Sequence, residues 1–285
     1  MAKTIKTDAR EAHDELHEEL SDSRVLQGDF ATKNYTVTTA RLQTNLDEID
    51  ILRGTQAMFR KGYEQDDKAK TIQIPAIFAK VDGITKDESK YQSKLDKIRN
   101  SKGLELLVDM HLETNSDWEL QDSDAETLIS NMTVDAFIAN DAWEYDILDR
   151  NGQEKIASAI ISVITDWPFS FEKNNESIKH ILQTGLDLPR ELLEIIQEVD
   201  YPKQVPFLAY LQSAELGTIT KTDIIGLCIF NALGWDVVVY SPYAYASLEN
   251  YIKTDEFDKF NLETVKASKF AKGNKHSIFG KIFGL

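Results

Sequence analysis

VPFLAYLQSAELGTITKTDIIGLCIFNALGWDVVVYSPYAYASLENYI, residues 205–252, reads as strand, loop, buried helix, strand and a polar loop opening a further helix. VPFLAYL is a continuous apolar run, the pattern of a strand covered on both faces. Thr220 can cap the next helix, with Asp223 three residues on as an approximate capping box. That helix, 221–233, is apolar nearly all round and ends at Gly234. WDVVVY, 235–240, is a second buried strand. Two strands joined by a helix of this length run parallel with a right-handed crossover, a βαβ unit. Ligands in such folds bind at the carboxyl ends of the strands. The unit lacks both GxGxxG and GxxxxGK[ST], so no nucleotide fingerprint is written into it.

Outward from this unit the pattern is mixed. YTVTTA, 35–40, alternates like a strand, and Leu46, Ile49 and Leu52 share one helix face. The segment 71–81 gives a strand broken at Pro75 and a second apolar piece, preceded by EQDDKAK as a polar turn. ESKYQSKLDKIRNSKG is an amphipathic helix ended by Gly103. The acidic region 104–150 gives no clear period. Ile156, Ala159, Ile160, Val163, Ile164 and Trp167 define a strong amphipathic helix stopped by Pro168. Another helix starts near Pro189, with Leu192, Ile195, Ile196 and Val199 buried. The resulting organisation is a charged arm over 1–31, a mixed, mainly helical region with a small strand pair over 32–187, a Rossmann-like unit over 188–265 and a basic tail over 266–285. The fold class is α/β, a parallel βαβ sheet unit on the C-terminal side with a large, mostly helical remainder.

The chain has 285 residues, is 42% hydrophobic and carries a formal charge of −16. That charge argues against a general nucleic-acid binder, which needs a basic face. The N-terminus is charged without a signal-peptide core, and no stretch approaches the ~20 apolar residues of a membrane span. A cytoplasmic protein is expected. The single cysteine, Cys228, excludes an intramolecular disulfide and reads as a buried small hydrophobe.

The chemistry candidates are sparse. His13 and His17 stand at i, i+4 on a solvated helix without further zinc ligands, and no metal site is expected. His111, His180 and His276 are scattered without a nucleophile. The acidic clusters 64–67 and 121–124 lack EF-hand spacing. The lysine-rich tail reads as docking on the acidic body rather than on lipid.

Several segments together resemble the YceG-like family, described as a proposed component of a "biosynthetic module" in tellurite-resistance and Ter-type stress clusters. They are TIQIPAIFAKVDGI with its P-x-x-F-A-K core at Pro75, Phe78, Ala79 and Lys80, the Trp143-x-Tyr145 pair, LPRELLEIIQEVDYPKQVPFLAY, GTITKTDIIGLCIFNALGWDVVVYSP, and the ENYI of 249–252. Members of that family are longer, with a second, similar βαβ unit in the N-terminal half, and this chain corresponds to the C-terminal half. Relatives carry N-P-x-G after the last strand, where this chain has Ser241-Pro242-Tyr243-Ala244. A glycine there permits close backbone approach to a ligand, and alanine removes that option.

The resemblance implies a part in making or modifying a small metabolite, nucleotide-like or a sugar phosphate. The expected ligand set is Thr220, Ser241, Tyr243 and Ser247, with Lys80 and Arg60 as anion-pairing groups beside turns. No cofactor is specified. The alternative is a non-catalytic scaffold or partner-binding subunit, completed by a second α/β subunit or by another copy of itself.

Overall fold

A computed structural model describes residues 34–101, 104–112 and 118–264. The arm over 1–31, the helix-ending Gly103 and the basic tail over 266–285 lie outside the described residues. The strands are β1 (Thr36–Arg41), β2 (Glu64–Asp66), β3 (Thr71–Ala76), β4 (Phe78–Asp82), β5 (Glu105–Val108), β6 (Phe207–Leu211), β7 (Asp236–Ser241) and β8 (Asp258–Asn261). The helices are α1 (Leu46–Leu52), α2 (Glu88–Arg99), α3 (Asp122–Ser130), α4 (Val134–Ile138), α5 (Arg150–Asp166), α6 (Asn175–Leu186), α7 (Arg190–Glu194) and α8 (Lys221–Ala232).

The fold is α/β. A five-stranded sheet runs β5-β6-β7-β4-β8 with every pair parallel. Its β6-α8-β7 portion is the βαβ unit legible in residues 205–252. The sheet does not stop there. β4 and β5, from the stretch read as mainly helical, pair with β7 and β6. Two parallel strands alone leave both outer edges unpaired, and β4 and β5 from the first half of the chain cover them. EQDDKAK is a strand before it is a turn, because β2 pairs antiparallel with β3. With β1 parallel to β3, these form a second, three-stranded sheet.

β3 and β4 form one run of chain that changes sheets at Ile77. Pro75 does not break the strand: it stays within β3, opposite Ala40, and the chain passes from one sheet to the other two residues later. The chain leaves β4 through α2, which buries Tyr91, Leu95 and Ile98 against Ala79, Val81 and Val238 on one face. It returns through α5, α6 and α8, which bury Ile160, Ile181 and Ile225 against Leu208, Tyr210 and Val239 on the other. Beside β4 the connections switch faces, and in open α/β sheets the carboxyl ends of the strands at such a point are where ligands bind.

The capping box at Thr220 is complete: its Oγ accepts from Asp223 N, and the Asp223 carboxylate accepts from Thr220 N. The helix expected near Pro189 is α7 continued by a 3-10 turn, Ile195–Glu198. The helix expected after the SPYAYAS loop is a single 3-10 turn, Leu248–Asn250. Cys228 is buried in α8, and burial pushes its thiol pKa up.

Candidate functional site at the carboxyl edge

Strand alternation decides which side chains share a face. Leu208 and Tyr210, Val237 and Val239, and Phe78 all join the core under α5, α6 and α8. Two residues further along each strand, the same face carries Gln212, Ser241 and Lys80, followed by Asp82. The row thus turns from apolar to polar at the carboxyl ends. Asp82 stands opposite Ser241 in register. The Ser241 hydroxyl donates to Gln212 Oε1 at 2.8 Å, and Gln212 Nε2 donates to the Gly217 carbonyl at 3.0 Å. Both side chains are fully buried.

Lys80 is 0% exposed. Its Nζ donates to both carboxylate oxygens of Glu249, each at 2.9 Å, and to the Tyr245 carbonyl at 2.8 Å. It also lies 3.0 Å from Asp82 Oδ1. Lys259 of β8 is opposite Lys80 in register, lies 3.1 Å from Asp82 Oδ2 and pairs with Glu249. Two adjacent lysines are thus held by two carboxylates, a net-neutral set.

Burial alone would raise the Glu249 pKa. Hydrogen bonds from Lys259, its own backbone N–H, Lys80 and the Ser247 N–H outweigh this and bring it down to about 2. The Ser247 N–H lies 3.1 Å from Glu249 Oε2, and the Ser247 Oγ is buried without a hydrogen-bond partner. The Tyr243 and Tyr245 rings stack with centroids 5.4 Å apart and planes 15° apart. Between them Ala244 has φ +51°, the left-handed conformation that glycine adopts without strain. The alanine therefore holds the backbone shape that glycine would favour at that place.

The predicted residues separate into three places. Lys80, Ser241 and Ser247 lie at the carboxyl edge of β4 and β7, with Tyr243 in the loop that joins them. Thr220 lies on the loop after β6, its hydroxyl 2.8 Å from Asp223 Oδ2 as the cap of α8. Arg60 stands at the opposite end of β7. Its guanidinium grips both oxygens of Asp236 at 2.8 and 2.7 Å and donates to the Pro75 and Leu52 carbonyls. Asp236 Oδ1 also accepts the Ile77 N–H at 2.8 Å, so this pair fastens the junction between the two sheets.

Sequence reasoning missed Asp82, Gln212, Glu249 and Lys259. Asp82 had a signal, being two residues beyond Lys80 and so on the same face of the strand. Lys259 had none, because DKFN lacks the apolar alternation of a strand. His111 is also paired after all, with Nδ1 2.7 Å from the buried Asp223, which accepts the Leu112 N–H at 2.6 Å as well. Among the described residues, no group of three or more His, Cys, Asp or Glu is placed to hold a metal ion. No helix among them is long and apolar enough to cross a membrane.

The YceG domain model matches residues 43–278 of the chain. The uncharacterized protein YceG of Bacillus subtilis (strain 168) is 27% identical over 232 residues, covering 79% of this chain and 43% of that protein. The chain thus spans less than half the length of this relative. No solved structure matches it. The family match takes in the whole five-stranded sheet and its carboxyl edge: the chain belongs to the YceG domain family.

Proposed function

We propose that this chain binds a small phosphorylated metabolite, nucleotide-like or a sugar phosphate, at the carboxyl ends of β4 and β7. It does so in the cytoplasm, as part of the biosynthetic module of a tellurite or Ter-type stress response. The observation that carries this reading is the buried polar row Gln212, Ser241, Asp82 and Lys80 at the point where the sheet's connections switch faces. Burying polar groups costs stability that only their hydrogen bonds and charge pairing offset, and an apolar row would avoid that cost, which supports a role beyond packing. In this reading Lys80 supplies charge, Ser241 and Ser247 supply hydroxyls, Tyr243 flanks the ligand and the loop carrying Thr220 forms one wall. Arg60 supports the sheet junction from the far end.

A thermal-shift screen against nucleotides, nucleotide sugars, sugar phosphates and divalent metals tests it. A ligand at a hundredfold excess over its Kd stabilises by about 2.7 kcal/mol, on the order of 5 °C for a chain of this size. Ser241→Ala and Lys80→Met are expected to abolish that shift. No shift with any compound would sink the reading.

The second reading is a non-catalytic subunit that joins another α/β body or a second copy. It is favoured by the internal pairing of Lys80 with Glu249 and of Arg60 with Asp236, which leaves both cations satisfied without a ligand. Sedimentation of the purified chain separates the two. A stable dimer together with a silent ligand screen supports the second.

A further inference from the structure

Glu249 is held the way a ligand oxyanion is held. One oxygen touches Lys80 and Lys259, and the other touches Lys80 and the Ser247 N–H. Its own backbone N–H adds another bond. These donors come from β4, β8 and the loop after β7, so three separate elements converge on one carboxylate. Ammonium groups and backbone N–H groups together form the donor set that proteins present to phosphates.

Charge balance requires a second anion beside the two lysines, but not Glu249 in particular. Asp82 already touches both lysines, at 3.0 and 3.1 Å. With Glu249 swung away, two lysines and one aspartate leave a net charge of +1, a seat suited to an anion. Lys80 itself is sealed, whereas the side chains of Glu249 and Lys259 are 23% and 42% exposed. The seat therefore reaches solvent through the group that occupies it. Ser247 adds a buried hydroxyl without a partner beside the N–H that holds Glu249. Glu249 sits on a single 3-10 turn outside the strand ladder, so its departure breaks no sheet pairing.

We propose that Glu249 is a resident stand-in for a ligand oxyanion, and that a phosphate monoester seats between Lys80, Lys259 and the Ser247 N–H by displacing it. This rests on the ligand-binding reading above and names the group that enters the site. The internal carboxylate then sets the affinity, because only the fraction of molecules with Glu249 displaced is competent to bind.

The test compares wild type, Glu249→Gln and Glu249→Ala by thermal melting in inorganic phosphate, acetate and chloride at matched ionic strength. Glu249→Gln is expected to bind phosphate about tenfold or more tightly than wild type, within the usual range of coupling between competing groups. Glu249→Ala is expected to melt lower in chloride and to recover in phosphate, and Lys259→Met added to it should cancel the recovery. Wild-type phosphate affinity in Glu249→Gln with no recovery of Glu249→Ala would overturn the proposal. Recovery in acetate equal to that in phosphate would overturn the assignment to a phosphate. If wild type responds to a phosphorylated metabolite and Glu249→Gln gains nothing, ligand binding stands and the stand-in falls. If Glu249→Gln gains phosphate and wild type is silent throughout the metabolite screen, the stand-in holds and ligand binding by the native chain falls.

Discussion

The two ends of the parallel sheet use the same ingredients, a buried cation and a carboxylate, in opposite ways. At the amino end of β7, the Arg60 and Asp236 side chains are both 0% exposed and form a bidentate pair that also binds the Ile77 N–H and the Pro75 and Leu52 carbonyls. At the carboxyl end, Lys80 is equally buried but its partner Glu249 is partly exposed and shared with Lys259. The planar guanidinium fixes one geometry, while an ammonium with three rotatable donors accepts substitutes. The amino end is a fastening that closes the seam between two sheets. The carboxyl end is a seat whose occupant can be exchanged.

The sharpest way to break this contrast is Asp236→Ala. Removing one partner leaves Arg60 charged and buried, which costs about 3–5 kcal/mol. Urea denaturation should show it, and a loss of under about 1 kcal/mol would deny the fastening role. Asp223 is the intermediate case, buried at the carboxyl edge yet bonded to Leu112, Thr220 and His111. Asp223→Ala should cost about 2–3 kcal/mol, combining a lost cap with an orphaned backbone N–H.

Glu249 should show itself through pH. Its pKa in the folded chain is about 2, below the ordinary 4.5. Its contribution is therefore fully present above pH 4.5 and is lost as pH falls from there through about 2. The share at stake is about 1–3 kcal/mol, allowing for partial exposure. Glu249→Gln should be less stable at neutral pH and flatter across that window in a denaturation series. Identical pH profiles would remove Glu249 from the account. The smallest effect is Ala244→Gly. It relieves a left-handed alanine at some entropic cost to the unfolded chain, for a net gain of about 0.5–1 kcal/mol in melting experiments.

The βαβ unit was legible because its three elements are mostly apolar, and burial on both faces leaves that mark. β4 was legible as an apolar piece beyond Pro75, though not its place in the centre of the larger sheet. β5 and β8 were harder. β8 reads DKFN, and what makes it a strand is pairing with β4 rather than any preference of its own. The candidate site was half visible. Lys80, Ser241 and Ser247 stood out by type and by their place near strand ends. Glu249 and Lys259 did not, because a lone acid and a lone lysine on the chain acquire meaning only when the fold brings them to one buried ammonium. Arg60 was expected to pair with a ligand anion, whereas its guanidinium pairs with Asp236, an acid inside an apolar strand 176 positions away.

The most direct measurement is a crystal structure of the chain grown or soaked in phosphate. A phosphate is expected between Lys80 Nζ, Lys259 Nζ and the Ser247 N–H, with the Glu249 side chain turned to solvent and the Arg60–Asp236 pair unmoved. Glu249 still bonded to Lys80 and Lys259 under saturating phosphate would contradict it.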